Sequence, residues 1–168
     1  SRGLGDVYKR QPSNLLLKLS RRLFADQAER ERFVSALVDP QSFHPCILWC
    51  REKPDNLPFA IETRTPWQPE FVDRLALGTK PGQHSLHELG YYYCLDFSSV
   101  FAASSFLNIP APIDLVFDIC ASPGGKSIFA WQALSPKLLI SNEAIGKRTG
   151  MIISNLKRCQ IRSSIVMN

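Results

Sequence analysis

Asp118-Ile119-Cys120-Ala121-Ser122-Pro123-Gly124-Gly125-Lys126-Ser127 follows an apolar, strand-like run over 113–118 and opens a predicted helix over 124–134. Two adjacent glycines at such a junction let a ligand approach the backbone closely. The first turn of a helix offers N–H groups without partners, which suit a carboxylate or a phosphate. Lys126 adds a positive charge there. Asp118, at the strand end, is placed to accept a hydrogen bond from an ammonium or hydroxyl group. A phosphate loop requires glycine five positions before Gly125, where Cys120 stands, and the three spaced glycines of a dinucleotide fingerprint are missing too. The remaining alternative is a tight strand-to-helix turn that binds nothing.

Downstream, the pattern predicts a second strand over 137–141, a helix over 144–159 with Ile145, Ile152 and Leu156 on its core face, and a third strand over 165–168. Strand and helix in alternation mean an α/β fold with a parallel sheet. Such a sheet binds ligands outside the carboxyl ends of its strands, where the glycine loop must lie. Asn142 and Glu143 follow the second strand directly, and Glu143 lies 18 residues beyond Gly125. An acidic side chain at that strand tip accepts hydrogen bonds from ribose hydroxyls. Loop and glutamate together point to a nucleoside-containing cofactor. Arg148, early in the following helix, is placed to pair with Glu143 or to reach the same site.

Upstream, Leu15, Leu16, Leu19 and Leu23 recur at helical spacing behind Ser13 or Asn14 as a cap. Asp26 is placed to cap a second helix with Phe33 and Leu37 on its apolar face and Pro40 beyond its end. Residues 46–50 read as a short strand and 51–69 as loop. A short helix is expected over 70–77, stopped by Gly78. Residues 90–95 form an aromatic strand, and a small-residue helix runs from Asp96 or Ser98 to about Leu107, closed by Pro110-Ala111-Pro112. The expected division is 12–89, a mixed and mostly helical N-terminal domain, and 90–168, the domain that carries the parallel sheet. Residues 1–11 are polar, turn-rich and unlike the rest of the chain, and are expected to be non-native.

Hydrophobic residues make up 45% and charged residues 21%, the balance of a soluble globular chain rather than a disordered one. The formal charge of +5 favours a polyanionic partner. Arg21, Arg22, Lys147, Lys157, Arg158 and Arg162 are the candidates to face one, the alternative being ordinary solvated helix faces. Tyr91, Tyr92 and Tyr93 fit a buried strand better than a stacking platform. The longest apolar stretches, 111–120 and 137–140, fall short of the roughly 20 residues of a membrane span. The 5 scattered Cys suit reduced thiols in a cytoplasm. Cys46 and Cys50, beside His44, read as buried thiols rather than metal ligands, and Cys94 and Cys159 as packing.

The 118–127 loop, the Asn-Glu pair after the second strand and the spacing Arg148, Asn155, Arg158 resemble the RsmB/NOP-type RNA cytosine-5 methyltransferases, the Sun-domain proteins. That family's loop reads approximately D-x-C-A-A-P-G-G-K-T. Upstream, Gly90-Tyr91-Tyr92-Tyr93-Cys94-Leu95-Asp96-Phe97-Ser98-Ser99 is similar to its G-x-x-Y-x-Q-D/E-x-S-S segment. The likeness is strong over 90–168 and faint over 12–89. Ser122 and Ser127 replace Ala and Thr, and Leu95 stands where the family has Gln.

The resemblance implies a Rossmann-like S-adenosylmethionine-dependent methyltransferase sheet, truncated after its third strand and preceded by a small mixed domain. S-adenosylmethionine would be held at its methionine end by Cys120, Ala121, Ser122, Pro123, Gly124, Gly125 and Lys126, with Glu143 on the ribose, Asp118 supporting the loop and Arg148 nearby. Cys120 would be a small packed residue. The implied reaction is methylation of C5 of cytosine in ribosomal or transfer RNA, by a cytoplasmic monomer without membrane contact. A cysteine thiolate adds to C6 of the base, and a second cysteine assists release. None of the cysteines here matches either catalytic motif, so no catalytic residue is assigned, and the nucleophile is expected beyond Asn168. The alternative is a non-catalytic RNA-binding module with the same fold.

Overall fold

The computed structural model describes residues 12–38, 44–110 and 112–168; the expectation for residues 1–11 lies outside these. One compact unit holds the described residues up to Val38, and a second runs from His44 to Asn168.

The first unit is a helical hairpin of α1 (Asn14–Leu23) and α2 (Gln27–Val38). Ser13 Oγ accepts the Leu16 N–H at 3.2 Å, and Asp26 Oδ1 accepts the Glu29 N–H at 3.0 Å, so both expected caps form. Arg21 and Arg22 sit in the last turn of α1, where the helix dipole favours cations. The turn is sealed by Arg30, which donates to the carbonyls of Phe24 and Ala25 at 2.7 and 2.8 Å, and the Phe24 and Phe33 rings meet at 5.3 Å. Leu15, Leu19, Leu23 and Leu37, expected on apolar inner faces, are exposed. Two helices alone cannot enclose their leucines.

The second unit contains two sheets. β1 (Pro45–Trp49) is the centre of an antiparallel sheet in the order β2-β1-β3, with β2 (Val72–Arg74) and β3 (Tyr92–Asp96) at its sides. Cys46, Ile47, Leu48 and Trp49 are all buried, because both faces of the strand are covered. Cys46 and Leu48 enter a core shared with the parallel half, while Ile47 and Trp49 pack with Leu75 and Tyr92. The short helix expected over 70–77 is not formed. Val72 to Arg74 pair instead with Leu48 to Cys46, and Asp73, buried on that strand, accepts the Trp49 Nε1–H at 2.7 Å and meets Lys53 Nζ at 2.7 Å. Gain of a ladder and of two partners for a buried carboxylate outweighs a local helical preference.

A one-turn helix α3 (Ser85–Glu88) precedes β3, and α4 (Phe97–Ala103) follows it. The helix expected to reach Leu107 ends at Ala103 and tightens into a 3-10 turn over Ser104–Asn108. The parallel sheet has the order β4-β5-β6, from β4 (Leu115–Asp118), β5 (Leu138–Asn142) and β6 (Ser164–Met167), linked by α5 (Gly125–Leu134) and α6 (Gly146–Arg158). All three strands and both helices lie where the sequence predicts them, within two residues at each end.

Two details differ. β4 is not a buried strand: Leu115 and Phe117 are each 53% exposed. Val116, Leu139 and Val166 point to the shared core, whereas Leu115, Phe117, Ile165 and Met167 line the opposite face, which nothing covers among the described residues. Ile145 is exposed as well, since α6 starts at Gly146 and Ile145 is its cap, outside the inward stripe of Ile152 and Leu156. No helix among the described residues is long and apolar enough to cross a membrane.

Candidate cofactor site

The loop between β4 and α5 is fixed from three directions. Asp118 holds it from below: Oδ1 accepts the Cys120 N–H at 3.2 Å, and Oδ2 accepts the Ser127 hydroxyl at 2.7 Å. Ser141 on β5 donates in turn to Ser127 Oγ at 3.1 Å, which places two fully buried hydroxyls in line behind the aspartate. With both oxygens engaged inside the protein, Asp118 supports the loop. From the side, the Ala121 N–H donates to the Asn142 carbonyl at 2.9 Å, and Asn142 Nδ2 donates to the Ile119 carbonyl at 3.0 Å. From α6, Asn155 Nδ2 donates to the Pro123 carbonyl at 2.8 Å. The Ser122–Pro123 peptide is cis.

The two glycines serve different needs. Gly124 caps α5 with φ +110°, a conformation L side chains rarely adopt, and a Cβ there would find nothing nearer than 3.9 Å. Gly125 has ordinary backbone angles but no room. A Cβ would lie 2.7 Å from Leu95 Cδ2 and 3.1 Å from Tyr93 Cε1. Leu95, in place of the family's glutamine, is therefore a packing neighbour of the loop. Lys126 is exposed at the helix start. Cys120 is exposed rather than packed, beside Ile119 on the open side of β4. It borders a groove of about 480 Å³ with Phe106, Ile113, Phe117 and Lys126, and burial fails because nothing lies over that edge among the described residues.

Glu143 follows β5 and is 6% exposed. Its Oε1 accepts the Ile145 N–H at 2.9 Å, which turns the chain into α6, and its Oε2 faces Arg148 Nη1 at 3.7 Å, an ion pair longer than a hydrogen bond. The expected pairing of Glu143 and Arg148 thus forms. Asn168 Nδ2 donates to the Glu143 carbonyl at 2.7 Å, and the Glu143 N–H donates to the Met167 carbonyl at 3.1 Å, so its backbone is fixed to the end of β6. The loop and Glu143 stand at the carboxyl ends of neighbouring strands. Two features leave room for a ligand with donors and acceptors of its own. Among the described residues, Ser122 Oγ is buried without a hydrogen-bond partner, and Glu143 Oε2 meets only the Arg148 ion pair.

Sequence reasoning quoted Ser127, Asn142 and Asn155 in their motifs but gave them no part in holding the loop, and it passed over Ser141. The available signal was two serines placed in otherwise apolar, inward-facing stretches, where a hydroxyl needs a partner. Arg158, a candidate for a polyanion-facing side chain, points inward. Its Nη1 donates to the carbonyls of His87 and Tyr92 at 2.8 and 3.2 Å, and its guanidinium lies 5.7 Å from the Tyr93 ring centre. Arg21, Arg22, Lys147, Lys157 and Arg162 are exposed. Tyr92 and Tyr93 are buried in the strand.

The thiols of Cys46, Cys50 and Cys94 are not poised for attack. Burial pushes Cys46 up to about 12 and Cys94 up to about 11, and Cys50 is pushed up by its hydrogen bond with Cys159 and by burial. Among the described residues no three His, Cys, Asp or Glu side chains gather as a metal site would require.

A methyltransferase homolog from Pyrococcus horikoshii superposes on 92% of this chain and 56% of its own length, with a TM-score of 0.66 and 18% identity. A second solved structure superposes on 95% of this chain and 40% of its own, also at 0.66, with 17% identity. The α/β fold with its parallel sheet is therefore shared with a methyltransferase homolog. The ribosomal RNA small subunit methyltransferase F of Vibrio cholerae is 28% identical over 88 residues, 52% of this chain, and that of Vibrio atlanticus is 26% identical over 88 residues. Over that stretch the chain is similar to these ribosomal RNA small subunit methyltransferases. The matched stretch spans 19% of the length of these Vibrio relatives. No family model matches the chain.

Proposed function

We propose that this chain is the cofactor-binding portion of an S-adenosylmethionine-dependent RNA methyltransferase that acts on C5 of cytosine in ribosomal RNA. Residues 90–168 are the first half of its catalytic domain, and its place of action is the cytoplasm. The observation that carries this reading is the glycine loop beside a buried Glu143, on the carboxyl ends of adjacent parallel strands. The Vibrio relatives, named for ribosomal RNA, supply the substrate class, which favours it over transfer RNA.

Cys120, Ala121, Ser122, Pro123, Gly124, Gly125 and Lys126 would hold the methionine end, through the N–H groups that open α5 and the unpartnered Ser122 hydroxyl. Glu143 would accept from the ribose hydroxyls through Oε2, with Arg148 holding its carboxylate in place. When bound, the cofactor supplies an electrophilic methyl group. Asp118 acts on it through the loop, which both its oxygens hold. Cys46, Cys50 and Cys94 are held as thiols, Cys159 is buried in the core and Cys120 lies in the proposed cofactor loop. This chain alone is therefore expected to transfer no labelled methyl to ribosomal RNA.

Calorimetric titration with S-adenosylmethionine tests the reading. The chain should bind, and Glu143→Ala should weaken binding by about 1–3 kcal/mol, the worth of hydrogen bonds to a charged acceptor. Equal affinity in the variant would remove Glu143 from the site.

A further inference from the structure

Asn155 and Arg158 are separated by three positions, so they share a face of α6. Arg158 Nη2 donates to Asn155 Oδ1 at 3.3 Å, while Asn155 Nδ2 donates to the Pro123 carbonyl at 2.8 Å. The amide is thereby oriented: its oxygen faces the guanidinium and its nitrogen faces the loop. Arg158 is itself anchored by the carbonyls of His87 and Tyr92 and lies over the Tyr93 ring. The same Tyr93, with Leu95, forms the seat on which Gly125 rests. At the other end of this contact, Gly90 is pressed so closely on the Arg158 carbonyl that a Cβ would overlap it.

We infer that Asn155 and Arg158 are positioning residues for the proposed cofactor loop: Arg158 sets the amide of Asn155, and Asn155 sets the Pro123 carbonyl and with it the N–H groups of 124–126. This rests on the cofactor reading given above. The chain of bonds runs from the antiparallel sheet through α6 to the loop, so β3 is part of the loop's support. Neither side chain is asked to touch the cofactor. A generic surface arginine and asparagine would not have this dependence on one another, whereas a fixed loop needs its ligand-facing amides held by neighbours whose own rotamers are set.

The test separates positioning from fold support by using Asn155→Asp beside Asn155→Ala. Aspartate keeps an acceptor for Arg158, with added charge attraction, but turns an oxygen toward the Pro123 carbonyl. The expected results are a melting temperature for Asn155→Asp no lower than that for Asn155→Ala, faster amide hydrogen exchange over 121–126 in both variants, and about tenfold weaker binding of S-adenosylmethionine in both, the worth of one hydrogen bond. Arg158→Lys should reproduce the faster loop exchange, since a single ammonium cannot serve three acceptors in a planar fork. Loop exchange equal to that of the parent chain would overturn the inference even if cofactor binding is intact. Faster loop exchange in a chain that does not bind S-adenosylmethionine would uphold the support of the loop by Asn155 and sink the cofactor reading alone.

Discussion

Gly125 shows how far a sequence pattern and its physical cause can part. Two neighbouring glycines before a helix suggest close approach by a ligand, and Gly124, with positive φ and open space, is compatible with that. Gly125 is glycine because Tyr93 and Leu95 occupy the place of its side chain. Gly125→Val should therefore destabilise the chain by about 1–3 kcal/mol through overpacking, measured by urea denaturation. Adding Leu95→Ala should restore part of that loss, because the nearest atom is the tip of the leucine. Strictly additive effects would show that the two positions do not touch. His87 offers a second check at this scale. Burial and the nearby Arg158 charge hold its pKa below the usual 6.5. The folded state then binds protons less readily than the unfolded one, so His87 contributes stability that is fully present above the unfolded pKa and lost as pH falls from there through the lower folded pKa. A melting temperature followed from pH 8 to pH 5 should drop, and His87→Gln should make the drop smaller. The Asn155 and Arg158 roles were not legible in the sequence, since their partners lie 32 and 66 to 71 positions away.

Among the elements, β4, α5, β5, α6 and β6 were legible because long apolar periodic runs alternate with Gly, Pro and charged punctuation. β2 was not. Its three residues carry no period of their own, and Asp73 reads as a surface residue until Trp49 and Lys53 are placed around it. The pairing that makes Val72–Arg74 a strand comes from Cys46–Leu48, far upstream. Asp73 should thus matter more to the antiparallel sheet than a short polar loop would suggest. Asp73→Leu leaves the buried Trp49 N–H without an acceptor and should cost about 1.5–3 kcal/mol in chemical denaturation, while Asp73→Asn, which can still accept that bond, should cost less. Lys53 is 42% exposed on its side chain, so Lys53→Met should be felt weakly. Equal losses for the leucine and asparagine variants would assign the effect to the ion pair instead.

At the scale of the molecule, the parallel sheet is unequal on its two faces. α5 and α6 bury Val116, Leu139 and Val166, while Leu115, Phe117, Ile165 and Met167 stand 46–53% exposed on the other face among the described residues. The sequence could not show this, because near-continuous apolar strands are the mark of a sheet covered on both faces, and exposure depends on what packs above it. An apolar face of aromatic and aliphatic side chains is a site for association and dye binding. The chain should accordingly bind the hydrophobic dye ANS in its native state and lose soluble protein as concentration rises. Replacing Phe117 and Ile165 together by Thr keeps two β-compatible residues while removing apolar surface. The double variant should show weaker ANS emission and a higher soluble fraction. Its melting temperature should change little, since side chains already half in solvent contribute about 0.5 kcal/mol or less each to stability. A parent chain that stays soluble at high concentration and leaves ANS dark would mean that this face is covered in solution. A variant that unfolds would mean that Phe117 and Ile165 carry core packing that their exposure does not reveal.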